Sequence, residues 1–200
     1  MAEIKLTKNE LRTQQSKLTQ LRKYLPTLQL KKAMLQLEVN EARLEILRFS
    51  EALDQVIKEV ETYAGLLSEK TAIDPVEAAR ILEIKKRYEN IAGVEVPYLE
   101  KIEFASIPYQ LFDTPIWVDP AIKGLRTLAE ARARVNIAEE KRDRLEKELR
   151  EVSIRVNLFE KILIPRALVN IKKIKVFLGD QQLAAVSQAK VAKAKIVGRG

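Results

Sequence analysis

Apolar side chains repeat in alternating steps of three and four at both ends of the chain. The middle gathers most of the prolines and aromatic rings, and glycine is scarce throughout. These features predict a mainly α-helical protein: a long antiparallel two-helix coiled coil of N- and C-terminal helices, with a small middle head holding a short helix and a β-hairpin. The expected divisions are 1–70 for the first coiled-coil helix, 71–120 for the head and 121–200 for the second helix with its basic end.

The N-terminal seam has two sets of heptad positions. One is Leu11, Leu18, Leu25, Lys32, Val39, Ile46, Leu53, Val60 and Leu67; the other is Gln14, Leu21, Leu28, Leu35, Ala42, Phe49, Val56 and Tyr63. Only Lys32 and Gln14 break it in seventeen positions. A period of 3.5 sustained this long specifies a left-handed supercoil rather than a surface helix. As one helix, residues 6–70 would span roughly 95–100 Å.

The second seam is Leu128, Ala131, Val135, Ala138, Arg142, Leu145, Leu149, Val152, Val156, Phe159 and Leu163, broken only at Arg142. The spacing then changes, through Ala167, Ile171, Ile174 and Leu178. This is a stutter, which locally unwinds a supercoil, and it falls at Pro165. The second helix should begin near Asp119 and reach the mid-190s.

Two such seams can pair within the chain or across copies as a parallel homodimer. An antiparallel register turning near residue 95 puts Lys32 opposite Phe159 and Arg142 opposite Phe49, so each seam cation meets a ring. It also sets Pro26 level with Pro165, Glu38 with Arg155, Glu59 with Arg134 and Glu45 with Glu148. Each proline marks either a helix start or a kink, or the two make one joint bend.

In the middle, Asp74-Pro75-Val76-Glu77 reads as a helix start, with aspartate as cap, proline in the first turn and a following glutamate. Val76, Ala79, Ile84, Tyr88 and Ile91 give a loose apolar face, and Gly93 a C-cap, so a short helix is expected over 75–92. Val94–Val96 and Lys101–Phe104 alternate like short strands, giving a hairpin or extended loop over 94–118. Tyr98, Phe104, Tyr109, Phe112 and Trp117 cluster here. They are either a docking surface or the packing of the head itself.

Function classes narrow by composition. The 200 residues include no cysteine and no histidine, which removes disulfides, thiolate metal sites and the commonest general base. No phosphate-binding loop, nucleophile elbow or acidic calcium loop occurs. No catalytic residue, cofactor or metal is expected. No apolar run approaches a membrane span, so the expectation is a cytoplasmic protein without direct membrane insertion. The net charge is +8. Residues 161–200 hold nine Lys or Arg against one acid, Asp180, and so carry all of it. A basic end implies an acidic partner, or serves solubility alone. A nucleic-acid-binding coiled coil is one rival, but no base-reading motif is present.

The run Arg155-Val156-Asn157-Leu158-Phe159-Glu160, then Ile164-Pro165-Arg166, then Ile171 and Ile174, resembles the RVNxLE…IPR…I..I pattern of one family: the D subunit of the V-type/A-type rotary ATPase or ATP synthase. Thr7-Lys8-Asn9-Glu10-Leu11 and Leu28, Lys31, Lys32, Leu35 and Glu38 resemble its N-terminal stretch. Glu89-Asn90-Ile91-Ala92-Gly93-Val94 is similar more weakly. Tyr24, Gln29 and Ala33 depart from the family's glycine, lysine and aspartate, and Pro26 is unexpected there.

The resemblance implies a non-catalytic central-stalk rotor on the cytoplasmic face of the membrane. Its paired ends would enter the hexamer of catalytic and regulatory subunits. Its head would meet other central-stalk subunits and, through a socket subunit, the membrane rotor. On that reading Arg166, Lys172, Lys173 and Lys175 contact the hexamer, and Tyr98, Phe104, Tyr109, Phe112 and Trp117 serve the stalk and ring end. The alternative is a coiled-coil adaptor in another assembly, such as flagellar or type III export.

Overall fold

The computed structural model describes residues 4–69, 74–106 and 114–198. The elements are α1 (Lys8–Glu61), a 3-10 turn (Ala64–Ser68), α2 (Pro75–Ala78), β1 (Ile81–Ile91), β2 (Val94–Phe104), α3 (Val118–Asn157), a π turn (Leu158–Leu163) and α4 (Ile164–Val197). The chain is mainly helical, with one antiparallel hairpin in its middle.

The seam governs which side chains turn inward. All seventeen positions from Leu11 to Leu67 are buried or half-buried, and so are the eleven from Leu128 to Leu163. Leu35, Leu145, Val152 and Ile174 are fully enclosed. Thr7 starts α1 by accepting the Glu10 N–H at 3.2 Å, and Glu10 stands at the capping-box position. Helix α1 continues through Pro26, whose ring is exposed, so the chain does not restart there. It closes at Glu61, short of the expected 70.

The stutter takes a definite form. In the π turn the Ile164 N–H reaches back to the Phe159 carbonyl, five residues away, and Pro165 follows in the first turn of α4, where its missing N–H costs least. The wider turn keeps Phe159, Leu163 and Ala167 on the inward face despite their four-residue steps.

The chain forms two compact units. One joins Met1–Lys32 with Glu151–Gly200, and the other is Ala33–Arg150. In the second, α1 and α3 run antiparallel. Arg43 bonds Glu146 at 2.7 Å, Lys141 bonds Glu45 at 2.9 Å, and Tyr63 meets Gly124. In the first, Gln14 and Leu21 share a groove with Leu163 and Asn170, and Leu6 shares one with Val176.

These contacts correct the expected register. Glu45 meets Lys141 rather than lying level with Glu148. Arg134 bonds Glu130 on its own helix, not Glu59. Arg142 leaves the seam for Asp143 at 2.6 Å, and the cations in the groove that Phe49 lines are Lys101, Arg134 and Lys141. An arginine is long enough to snorkel off a seam position, so the need to cover its charge does not set the register. One close fit in this pairing is at Gly124, where an added side chain would run into the Tyr63 hydroxyl. Lys32 and Phe159 are both half-buried.

The middle corrects a second expectation. Asp74 caps α2 as expected, accepting the Val76 N–H at 2.9 Å, but the helix stops at Ala78 instead of reaching 92. Ile81–Ile91 pairs as an eleven-residue strand with β2, which runs unbroken through Pro97. A two-stranded sheet consists only of edges, where proline is tolerated. Gly93 is a turn residue, not a helix cap. Ala92 and Gly93 form a two-residue loop with φ of 50° and 84°, the signature of a type I′ turn. Asn90 Oδ1 accepts the Gly93 N–H at 2.9 Å.

Two outcomes are expected. Gly124→Ala drives a methyl group onto the Tyr63 hydroxyl and should cost about 1–3 kcal/mol, read as a lower urea midpoint. Ala92→Asn puts a residue that tolerates the left-handed region into that position. It should stabilise the hairpin by roughly 0.5–1 kcal/mol in the same measurement.

Candidate functional site

Two surfaces stand out, one in each unit. The first is the hairpin where it lies on α3. Successive turns of α3 present Arg126, Ile137, Lys141 and Arg144, and three cations among these hold the hairpin. Arg144 donates to the Glu95 carbonyl at 3.1 Å and stacks 5.4 Å from the centre of the Tyr88 ring. Glu140 takes Lys86 at 2.6 Å and Arg144 at 2.8 Å. Lys141 is only 8% exposed, with its ammonium 4.4 Å from the centre of the Tyr98 ring while it bonds Glu45 of α1. Arg126 donates to the carbonyls of Ala78 and Ala105 at 2.9 and 2.8 Å, beside Phe104. One guanidinium thus ties the end of α2 to the exit of β2.

The expected aromatic cluster is therefore divided. Tyr98 and Phe104 are half-buried under cations of α3, and Trp117 packs on Ala78, Val118 and Ile122. Tyr109 and Phe112 lie outside the described residues. The apolar groups that face outward in this unit include Leu82, Val76, Ile116 and Tyr88. Tyr88, expected on a helix face, stands in a strand, with its ring partly exposed and Arg144 of α3 over it.

The second surface is the basic end of α4. Its inward face is Ala167, Ile171, Ile174 and Leu178. Between these, Arg166, Lys172, Lys173 and Lys175 are all exposed, and so are Leu168, Val169, Val176 and Phe177. Leu6, Val169, Val176 and Phe177 line one groove with Lys172, Lys173 and Asp180. From Asp180 to Gly198 every side chain is exposed, including Leu183, Val186, Val191 and Ile196. Cations interleaved with bare apolar groups are the makings of a protein-binding surface. No described helix is long and apolar enough to cross a membrane.

Electrostatics at the hairpin predict its response to pH. The hydrogen bond from Lys86 holds Glu140 below the usual carboxylate range, against partial burial and with help from Arg144. Burial pulls Lys141 down, but bonding to Tyr98 and Glu45 outweighs it, so its pKa stands above the usual lysine value. The lowered carboxylate stabilises the fold above its unfolded value, and that contribution is lost as pH falls through the lower folded value. The raised lysine stabilises it below its unfolded value, and the contribution is lost as pH rises through the higher folded value. Urea midpoints should therefore plateau between about pH 5 and 10. Glu140→Gln should flatten the acid limb and leave the alkaline limb in place.

Comparison with known proteins finds relatives along nearly the whole chain. The family described as the ATP synthase D subunit matches residues 10–194. The V-type ATP synthase D subunit of Chlamydia caviae is 44% identical over 199 residues, covering 99% of this chain and 96% of the relative. Proteins of the same description from Chlamydia muridarum and Chlamydia pneumoniae are 45% and 42% identical. They cover 98% and 97% of this chain, and 97% and 93% of their own lengths. With a matching profile over nearly its full length and relatives this similar end to end, the chain belongs to the ATP synthase D-subunit family.

Proposed function

We propose that the chain is the non-catalytic central-stalk rotor shaft of a V/A-type rotary ATPase. In this role it couples ATP synthesis or hydrolysis in a catalytic hexamer to ion translocation through a membrane ring. The observation that carries this reading is the unbroken inward seam on both long helices of a chain whose relatives are V-type ATP synthase subunits. Torque applied to one helix of a packed pair is shared by the other, because a core at crystal-like density deforms little.

The basic, partly apolar end of α4 meets the catalytic and regulatory subunits of the hexamer. There Arg166, Lys172, Lys173 and Lys175 face acidic surfaces. Two unlike helices inside a threefold sleeve present a different face to each catalytic site. Each angular position then favours one set of site conformations, and rotation is linked to nucleotide state by differential contact energy. The hairpin unit meets other central-stalk subunits and, through a socket subunit, the membrane rotor. Tyr98, Phe104 and Trp117 support that surface from beneath. The assembly sits on the cytoplasmic side, peripheral to the membrane.

Reversing the four charges at Arg166, Lys172, Lys173 and Lys175 to glutamate tests the reading. Co-purification with the nucleotide-binding subunits, or ATP-driven rotation in the assembled complex, should be impaired. Wild-type assembly with wild-type rotation would refute it.

A further inference from the structure

In the unit built from the two chain ends, a groove of about 550 Å³ lies between the start of α1 and the first turns of α4. Lys5, Lys17 and Arg166 line it, together with Glu10, Gln14 and Asn170. Asn170 is only 9% exposed, yet its amide makes no hydrogen bond among the described residues. The three cations likewise have no ion-pair partner among the described residues. Glu10 is the one acid, and its carboxylate already accepts the Gln14 amide at 2.8 Å.

These groups converge. Arg166 and Asn170 are one turn apart on α4, and Gln14 and Lys17 are one turn apart on α1, so each pair shares a helix face. An amide with free donors at the wall of the groove, beside a guanidinium fork and two ammonium groups, is a donor-rich cradle with surplus positive charge. A single carboxylate would engage the fork and leave most of that charge uncompensated. A phosphate-type ion brings about two negative charges and enough acceptor oxygens for the fork, the ammonium groups and the amide.

From this we infer that the groove is a binding site for a phosphate-type oxyanion, either free phosphate or pyrophosphate or the phosphate chain of a nucleotide. The inference goes beyond the rotor reading and does not rest on it. The site lies within the isolated chain and needs no hexamer.

The test uses the purified full-length chain at constant ionic strength, with sodium chloride as the reference salt. Phosphate, pyrophosphate, ATP without magnesium, and acetate are titrated separately by calorimetry and by thermal melting. Pyrophosphate should bind with a millimolar or tighter Kd and raise the melting midpoint by several degrees over chloride. Arg166→Gln and Lys17→Gln should each weaken binding about tenfold. Asn170→Leu should also weaken binding.

ATP binding more tightly than pyrophosphate assigns the site to a nucleotide, and equal binding assigns it to the inorganic ion. Equal response to chloride or acetate overturns the proposal, as does wild-type binding by both charge variants. None of these readouts involves rotation or assembly, so failure here and failure of the rotor reading are separate results.

Discussion

A side chain every three or four residues, nearly always apolar and turned inward, is the constraint on which the rest of this molecule depends. It forces every departure from the repeat to be resolved locally. The π turn at Leu158–Leu163 is one resolution. A four-residue step would rotate the apolar stripe away from its partner, and widening a single turn brings it back. Arg142 is another, since its length lets it hold a seam position while its charge leaves for Asp143.

The same repetition explains what the sequence can and cannot disclose. The seam is legible residue by residue, because periodicity is local and the inward positions follow from it. Register is not, since sliding one helix by a turn or a heptad matches leucines to leucines almost equally well. Particular fits, such as that of Tyr63 against Gly124, join residues far apart in sequence and are silent in any pattern. The hairpin is hidden for a related reason. Ile84, Tyr88 and Ile91 satisfy a helical spacing, while Ile84, Lys86 and Tyr88 satisfy a strand. Only pairing with β2 and the grip of α3 decide between them. The helix start at Asp74 is visible because a cap is a local interaction, whereas its end is set by that tertiary competition.

The candidate surfaces divide along the same line. The basic end of α4 can be read from charge counting, and its four named cations do stand outside the seam. The aromatic cluster of the head can be seen as a cluster, but not the burial of its members. Tyr98 and Phe104 serve mainly to seat cations, a use that composition does not distinguish from docking. Asn170 carries no signal in the sequence because it lies beside the heptad positions. Its interest comes from lining the groove without a bonding partner among the described residues.

Beyond Gly179, α4 extends through residues whose side chains are all exposed. An isolated helix of this length is marginal in water, because nucleation is costly and each added residue gains little. These last turns gain no burial of their own and rest on the packed turns that precede them. Enclosure by a sleeve would then be a coupled folding event, in which part of the contact energy is spent on winding the tip. On the proposed reading, such a tip would grip less tightly than its area implies.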